Sequence, residues 1–207
     1  MRVLVLGATG GTGKAIVEGC LASGHDVRAL VRRPDAVGIT SDKLEVVKGD
    51  ALDTIAVGDA VRGMDAVISS LGSRPWRSDD VCSKGTAVLL GAMTIGHVSR
   101  LIVISSVGVT ATLPYADFMT RTARATILRG VLADKDRMES LVMASRLEWV
   151  IVRPVVLTNG AATGKVRIAD DTSIPGGSVT RADVAAFCVG ELDKREWTRK
   201  SPSIVGE

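Results

Sequence analysis

The alternating run Val3-Leu4-Val5-Leu6 passes straight into Gly7-Ala8-Thr9-Gly10-Gly11-Thr12-Gly13, and a helical stretch follows at once. A strand that turns through evenly spaced glycines into a helix restricts the architecture more than any other feature of the chain. The first glycine allows a sharp turn, the second lets backbone approach phosphate oxygens without a Cβ in the way, and the third lets helix pack on strand. Gly7, Gly10 and Gly13 fall at those places, with Thr9, Gly11 and Thr12 between them. The unpaired N–H groups and positive dipole end of a helix starting near Thr12 face the same point, where a dinucleotide pyrophosphate fits. Glycine clusters by themselves mark plain turns. The flanking strand and helix are what make this one a dinucleotide junction.

The rest of the chain repeats that alternation. Strand-like runs fall at about 2–6, 26–31, 43–48, 65–70, 100–105 and 148–153, and helical patterns at about 12–23, 53–62, 79–97, 118–145 and 180–193. Leu101-Ile102-Val103-Ile104 and Val150-Ile151-Val152 are unbroken apolar runs, as expected of mid-sheet strands covered on both faces. The pattern predicts an α/β, doubly wound parallel sheet of the Rossmann type, with residues 1–207 forming one domain. About fifty residues follow the sixth strand, enough for loops, a short strand or two, one helix and a small substrate-side lobe. The glycine-rich stretch from Asn159 to Gly177 is expected to supply the outer wall of a pocket. Thr180 can cap the last helix, and Asp183 can return the bond.

Composition removes several classes of function. Lys and Arg are scattered among Asp and Glu for a net charge of only +3, and aromatic residues make up 3%, so nucleic-acid binding has no support. No apolar run approaches the ~20 residues of a membrane span, and the first strand begins at Arg2, leaving no room for a targeting segment. A cytoplasmic location is expected. Cys20, Cys82 and Cys188 lie far apart without paired spacing and read as buried thiols, so neither a disulfide nor a metal site is expected. His25 and His97 read as ordinary surface histidines in turns between helix and strand.

The second strand ends in Val31-Arg32-Arg33-Pro34, where dinucleotide folds read the adenosine ribose ~20 positions beyond the glycines. Arg32 and Arg33 suit a 2′-phosphate, hence NADP; Asp35 would favour NAD but comes one turn too late. Gly49-Asp50-Ala51 follows the third strand, where Asp50 can accept from the adenine amino group or simply serve a solvated turn. Ser69-Ser70-Leu71-Gly72 follows the fourth strand at the carboxyl edge of the sheet, where the backbone should pass the nicotinamide-side ribose.

In that order these motifs resemble the atypical short-chain dehydrogenase/reductases, in particular the compact NAD(P)H-binding branch that includes biliverdin reductase B and flavin reductase. The likeness covers nearly the whole chain. Gly7 to Gly13 is similar to the family's nucleotide loop, Val31-Arg32-Arg33 to its NADP-selecting strand end, Gly49-Asp50-Ala51 to its adenine contact and Ser70-Leu71-Gly72 to its ribose segment. Leu101 to Ser106 resembles the strand that carries the active-site serine, Ser106, with Ser105 beside the cofactor. Glu148 to Pro154 resembles the sixth strand, with Pro154 at the cofactor, and Ser178 to Ala185 the start of the last helix.

The wider superfamily pairs its serine with Tyr-x-x-x-Lys, in which the lysine lowers the tyrosine pKa for proton exchange with an alcohol. With Lys135 and Glu139 placed on that helix, the tyrosine position is Val131; the only tyrosine, Tyr115, has Met119 four residues later. Lys135 reads either as a solvated helix lysine or as a contact to the cofactor ribose. Ser106 and Lys135 are the candidate catalytic residues. Reduction of a ketone needs a proton donor, whereas a flavin, quinone or tetrapyrrole can take its proton from solvent. The resemblance therefore implies NADPH-dependent reduction of a small planar acceptor by a monomer or weak dimer, in a pocket roofed by Pro154-Val155-Val156 and the loop around Trp76. Two other readings stay open: a non-catalytic NADP sensor that binds a partner, and an NAD-retaining sugar-nucleotide epimerase.

Overall fold

The computed structural model describes residues 1–72, 80–113, 122, 128–170 and 176–207. Its frame is an eight-stranded sheet in the order β3-β2-β1-β4-β5-β6-β10-β8. The strands are β1 (Arg2–Leu6), β2 (Asp26–Val31), β3 (Leu44–Lys48), β4 (Ala66–Ser69), β5 (Arg100–Ile104), β6 (Glu148–Pro154), β8 (Val166–Ala169) and β10 (Ser203–Gly206). All pairings are parallel except β10 with β8. A second, two-stranded parallel sheet joins β7 (Val156–Thr158) to β9 (Ser178–Thr180).

Among the described residues, five α-helices cover the sheet: α1 (Gly11–Ala22), α2 (Thr54–Val61), α3 (Val81–Ile95), α4 (Arg129–Ala144) and α5 (Arg181–Lys194). Strand alternation sorts the side chains onto two faces. Val3 and Val5 join Ile16, Val17, Val184 and Cys188 beneath α1 and α5, whereas Leu4 and Leu6 join Val57, Leu89, Met93, Met138 and Val142 beneath α2, α3 and α4. This two-sided burial is why β1 and β5 read as continuous apolar runs.

Chain direction along the sheet reverses between β1 and β4, the strands that bring Gly7 and Ser70 side by side. Ligands bind at the carboxyl ends of the strands at such a switch point. The β5–β6 ladder runs past the formal end of β5, since Ser105 N donates to Val152 O at 2.7 Å and Val107 N to Pro154 O at 2.9 Å. Ser105 and Ser106 are thereby fixed at the same edge.

The expected strands and helices appear within a residue or two, except that the helix expected at 118–145 starts at Arg129, with Leu128 as its N-cap. The first parts of the helices expected at 79–97 and 118–145 include residues outside the described set, as do Trp76 and Tyr115. Among the described residues, the C-terminal fifty hold four short strands rather than one or two, because strands of three or four residues are too brief to give a readable alternation. His25 also departs from expectation. It is buried, with Nδ1 3.3 Å from the Met1 amino nitrogen and Nε2 4.0 Å from Asp193 at the end of α5, so the turn before β2 is covered by a helix distant in sequence. His97 is exposed, as expected.

Candidate functional site

Gly7 adopts φ +77°, and a Cβ there would drive into the Ser70 carbonyl oxygen; at Gly13 it would overlap the Gly7 carbonyl. These two glycines are demanded by the fold, one by the turn and one by the packing of α1 on β1. Gly10 differs, since a Cβ there would stand 3.4 Å from Gly7 O. Gly10 N closes the turn onto Gly7 O at 3.0 Å, and Gly10 is the N-cap of α1, with no side chain to return a bond to the helix. The first-turn N–H groups of α1 therefore lie behind the exposed backbone of Thr9, Gly10 and Gly11, a donor arrangement that suits a diphosphate.

At the end of β2, Arg32 and Arg33 are both exposed, and neither guanidinium makes a hydrogen bond or ion pair among the described residues. Lys14, in the first turn of α1, sends Nζ across to the following loop, 3.7 Å from where a Cβ on Gly38 would stand. Three cations without an ion pair among the described residues thus stand near the end of β2. Asp50 Oδ1 accepts from Leu52 N at 3.0 Å, an Asx turn, which occupies one of its two oxygens. Ala51 packs toward α3, with its Cβ 3.7 Å from a would-be Cβ on Gly85. Leu71 turns inward to the same helix, its carbonyl accepting from Cys82 Sγ at 3.4 Å, while Gly72 has open space around it.

Beyond the switch point a cleft of about 640 Å³ opens between the ends of β5 and β6, α4 and the β7 region. Ser105, Ser106 and Lys135 lie along it with the apolar groups of Leu132, Pro154, Val155 and Leu157, and with Arg181 and Gly177. Ser106 Oγ donates to Val107 O at 2.9 Å. Ser105 Oγ and Ser69 Oγ are buried without a hydrogen-bond partner among the described residues.

Lys135 is no solvated helix lysine. Its Nζ donates to Ser105 O at 2.6 Å and lies 3.4 Å from Ile104 O, tying α4 to the end of β5. Burial pushes its ammonium below the ordinary lysine range, against the opposing pull of Cys82, Glu139 and Asp134. The lysine's place is held by its neighbours. Glu139, one turn on, forms a buried two-pronged pair with Arg153 of β6 at 3.1 and 2.6 Å. Asp134 accepts from Cys82 N at 2.8 Å, Ser83 N at 3.1 Å and Ser83 Oγ at 2.5 Å, so a carboxylate on α4 caps α3.

The sequence reading passed over Arg181 and Lys14. Arg181 is the first residue of α5, and its chain lies across the glycine loop, with Cδ 2.8 Å and Nε 3.0 Å from where a Cβ on Gly11 would stand. The signal available was its place directly after the helix-capping Thr180, which returns it to the sheet's carboxyl edge. Asp183 accepts from Thr180 Oγ1, Thr163 Oγ1, Thr163 N and Gly164 N, between 2.8 and 3.0 Å, so it holds the 160–164 loop as well as closing the cap. Burial alone would raise its pKa, but these bonds outweigh burial and keep the carboxyl below its ordinary value. No cluster of metal-ligand side chains occurs among the described residues, nor any helix long and apolar enough to cross a membrane.

A family model described as NAD(P)H-binding matches residues 7–195. An uncharacterised chloroplastic protein of Arabidopsis thaliana is 30% identical over 99% of this chain and 76% of its own length. The (4-alkanoyl-5-oxo-2,5-dihydrofuran-3-yl)methyl phosphate reductase of Streptomyces griseus is 30% identical over 92% of this chain, which spans 62% of that enzyme. Among solved structures, ChuY, an anaerobillin reductase from Escherichia coli O157:H7, superposes with a TM-score of 0.85 at 27% identity, covering 100% of this chain and 97% of the other.

Proposed function

Since the chain belongs to the NAD(P)H-binding family, we propose that it is an NADPH-dependent reductase acting on a small planar acceptor such as a flavin, quinone or tetrapyrrole. The observation that carries this reading is the cleft at the ends of β5 and β6: Lys135 is anchored to β5, and the residue one turn before it, Val131, cannot move a proton. The Gly7–Gly13 loop would hold the diphosphate, Arg32, Arg33 and Lys14 the 2′-phosphate, and Asp50 and Ala51 the adenine. Ser70, Leu71, Gly72, Ser105 and Pro154 would border the nicotinamide half.

When bound, reduced NADP supplies a hydride. Apolar Leu132, Val155 and Leu157 offer a flat acceptor a surface to stack on, and Ser106 orients it from the cleft edge. Lys135 keeps the Ser105-Ser106 backbone in place. Delivery of the hydride leaves a conjugated anion on the acceptor, and the accompanying proton comes from solvent. A ketone would need its acid at Val131. The reductase activities stated for the Streptomyces and Escherichia relatives support this class of chemistry. A cytoplasmic location for it is supported by Cys20, Cys82 and Cys188, none of which is in a disulfide.

The test is NADPH oxidation against a panel of flavins, quinones, biliverdins and simple ketones, with cofactor titrations alongside. Turnover is expected with at least one planar acceptor and none with ketones, and Ser106→Ala should slow it about 10-fold. NADPH should bind more tightly than NADH, and the preference should fall sharply in the Arg32→Ala, Arg33→Ala double variant, charge-assisted bonds being worth ~1.5–3 kcal/mol each. Equal affinity for the two cofactors would remove the NADP assignment. Ketone reduction sensitive to Tyr115→Phe would remove the tyrosine-free mechanism.

A further inference from the structure

Among the described residues, Arg181 presents a charge with no counter-charge. Its Nη1 donates to Asn159 Oδ1 at 2.8 Å and lies 3.5 Å from Leu157 O, both neutral groups of the substrate-side lobe. It makes no ion pair among the described residues, and Asp183, two residues on, is occupied by Thr163, Gly164 and Thr180. Its stem lies over Gly11, at the positive end of α1. A guanidinium facing a helix N-terminus is a repulsive arrangement unless an anion completes it. The Nε and Nη2 donors form no hydrogen bond among the described residues, and that edge of the guanidinium is the fork that matches two phosphate oxygens.

We infer that Arg181 is a cofactor ligand supplied by the substrate-side lobe: its fork closes over the diphosphate held by the glycine loop, and position 11 is glycine so that this side chain can cross. The inference rests on the reading of that loop as a dinucleotide site. It assigns Gly11 a role different from that of Gly7 or Gly13. Backbone stands where a Cβ on those two would go, whereas at Gly11 the obstacle is the stem of a flexible side chain. Gly11→Ala should therefore leave the fold intact and displace Arg181. Because Asn159 and Leu157 hold the same guanidinium, diphosphate binding also tethers the wall of the acceptor cleft.

The experiment is calorimetric titration of the full chain with NADPH and with adenosine 2′-monophosphate, which lacks the diphosphate. Arg181→Ala and Arg181→Met should weaken NADPH binding at least 10-fold, Arg181→Lys should recover part of the loss, and adenosine 2′-monophosphate should bind all of them like wild type. Gly11→Ala should reproduce most of the loss, and adding it to Arg181→Ala should cost nothing further, the non-additivity of two changes that act through one contact. Circular dichroism melts establish that each variant is folded. Unchanged NADPH affinity in folded Arg181→Met, with only a raised KM for the acceptor, would overturn the inference in favour of an anionic group on the substrate. A Gly11→Ala penalty that persists in the Arg181→Ala background would overturn the role given to Gly11. Wild-type protein that binds neither NADPH nor NADH would instead overturn the dinucleotide reading on which the inference stands.

Discussion

Gly10 and Gly13 stand three residues apart and answer to different demands. At Gly13 even one methyl would overlap the Gly7 carbonyl, which is backbone and cannot turn aside. Gly13→Ala should therefore destabilise the protein by about 3 kcal/mol, near the upper end for overpacking, as read by urea denaturation. At Gly10 a Cβ meets only ordinary contact distance, so Gly10→Val should fold with nearly wild-type stability and lose NADPH binding because its branches enter the space proposed for the diphosphate. Normal NADPH affinity in Gly10→Val would reduce the loop to a plain turn. Glycine spacing displays both residues in the sequence, but only three-dimensional neighbours separate the one that serves the fold from the one proposed to serve the ligand. Lys135 makes the same point. Its position on the helix was legible, and its attachment to the Ser105 carbonyl was not, because that partner lies on a strand thirty residues earlier.

Among the elements, the start of α5 joins two features, its own cap and the 160–164 loop, through one carboxylate. Asp183 receives the Thr180 cap and three bonds from Thr163 and Gly164, so the helix start and the 160–164 loop share an anchor. Its folded pKa lies below the ordinary value of 3.8, so the ionised form stabilises the fold. That contribution is fully present above pH 3.8 and is lost as pH falls through the lower folded value. Asp183→Asn should lower stability by about 1–3 kcal/mol at pH 7 and flatten the acid limb of the stability profile, measured by denaturation between pH 2 and 7. A variant whose acid limb matches wild type would show that other carboxylates govern it. The cap itself was readable from Thr180 and Asp183, whereas the loop bonds come from residues about twenty positions earlier and follow no local pattern.

Over the whole molecule, distant segments are locked at buried charges. Arg100, fully buried at the start of β5, donates to Glu191 O at 2.5 Å, to Thr198 Oγ1 at 3.1 Å and to Glu148 O at 3.2 Å. Burial pushes its pKa down, against the pull of Glu191. This fastens the end of α5 and the segment leading to β10 beneath the sheet, while Arg153 and Glu139 fasten α4 to β6. A ligand that spans α1, β2 and the substrate-side lobe should stabilise the assembly as a unit. At 100 times its dissociation constant, NADPH should contribute about 2.7 kcal/mol, a rise in melting temperature of roughly 5–10 °C for a chain of this size. At the same concentration, differential scanning fluorimetry should show a smaller rise with NADH, the Arg32 and Arg33 contacts being absent. No shift with NADPH would argue against a bound dinucleotide.

The sequence by itself determined the strand and helix alternation, the glycine loop and the order of motifs along the sheet edge, because those follow from period, backbone freedom and spacing between near neighbours. Tertiary structure decided which groups meet across it. His25 is buried because the end of α5 covers it, Lys135 is drawn off solvent by β5 carbonyls, and Arg181 reaches Gly11 from 170 residues away. Each of these depends on contacts between segments far apart in the chain, and a local pattern carries no record of which distant surface will fold against it.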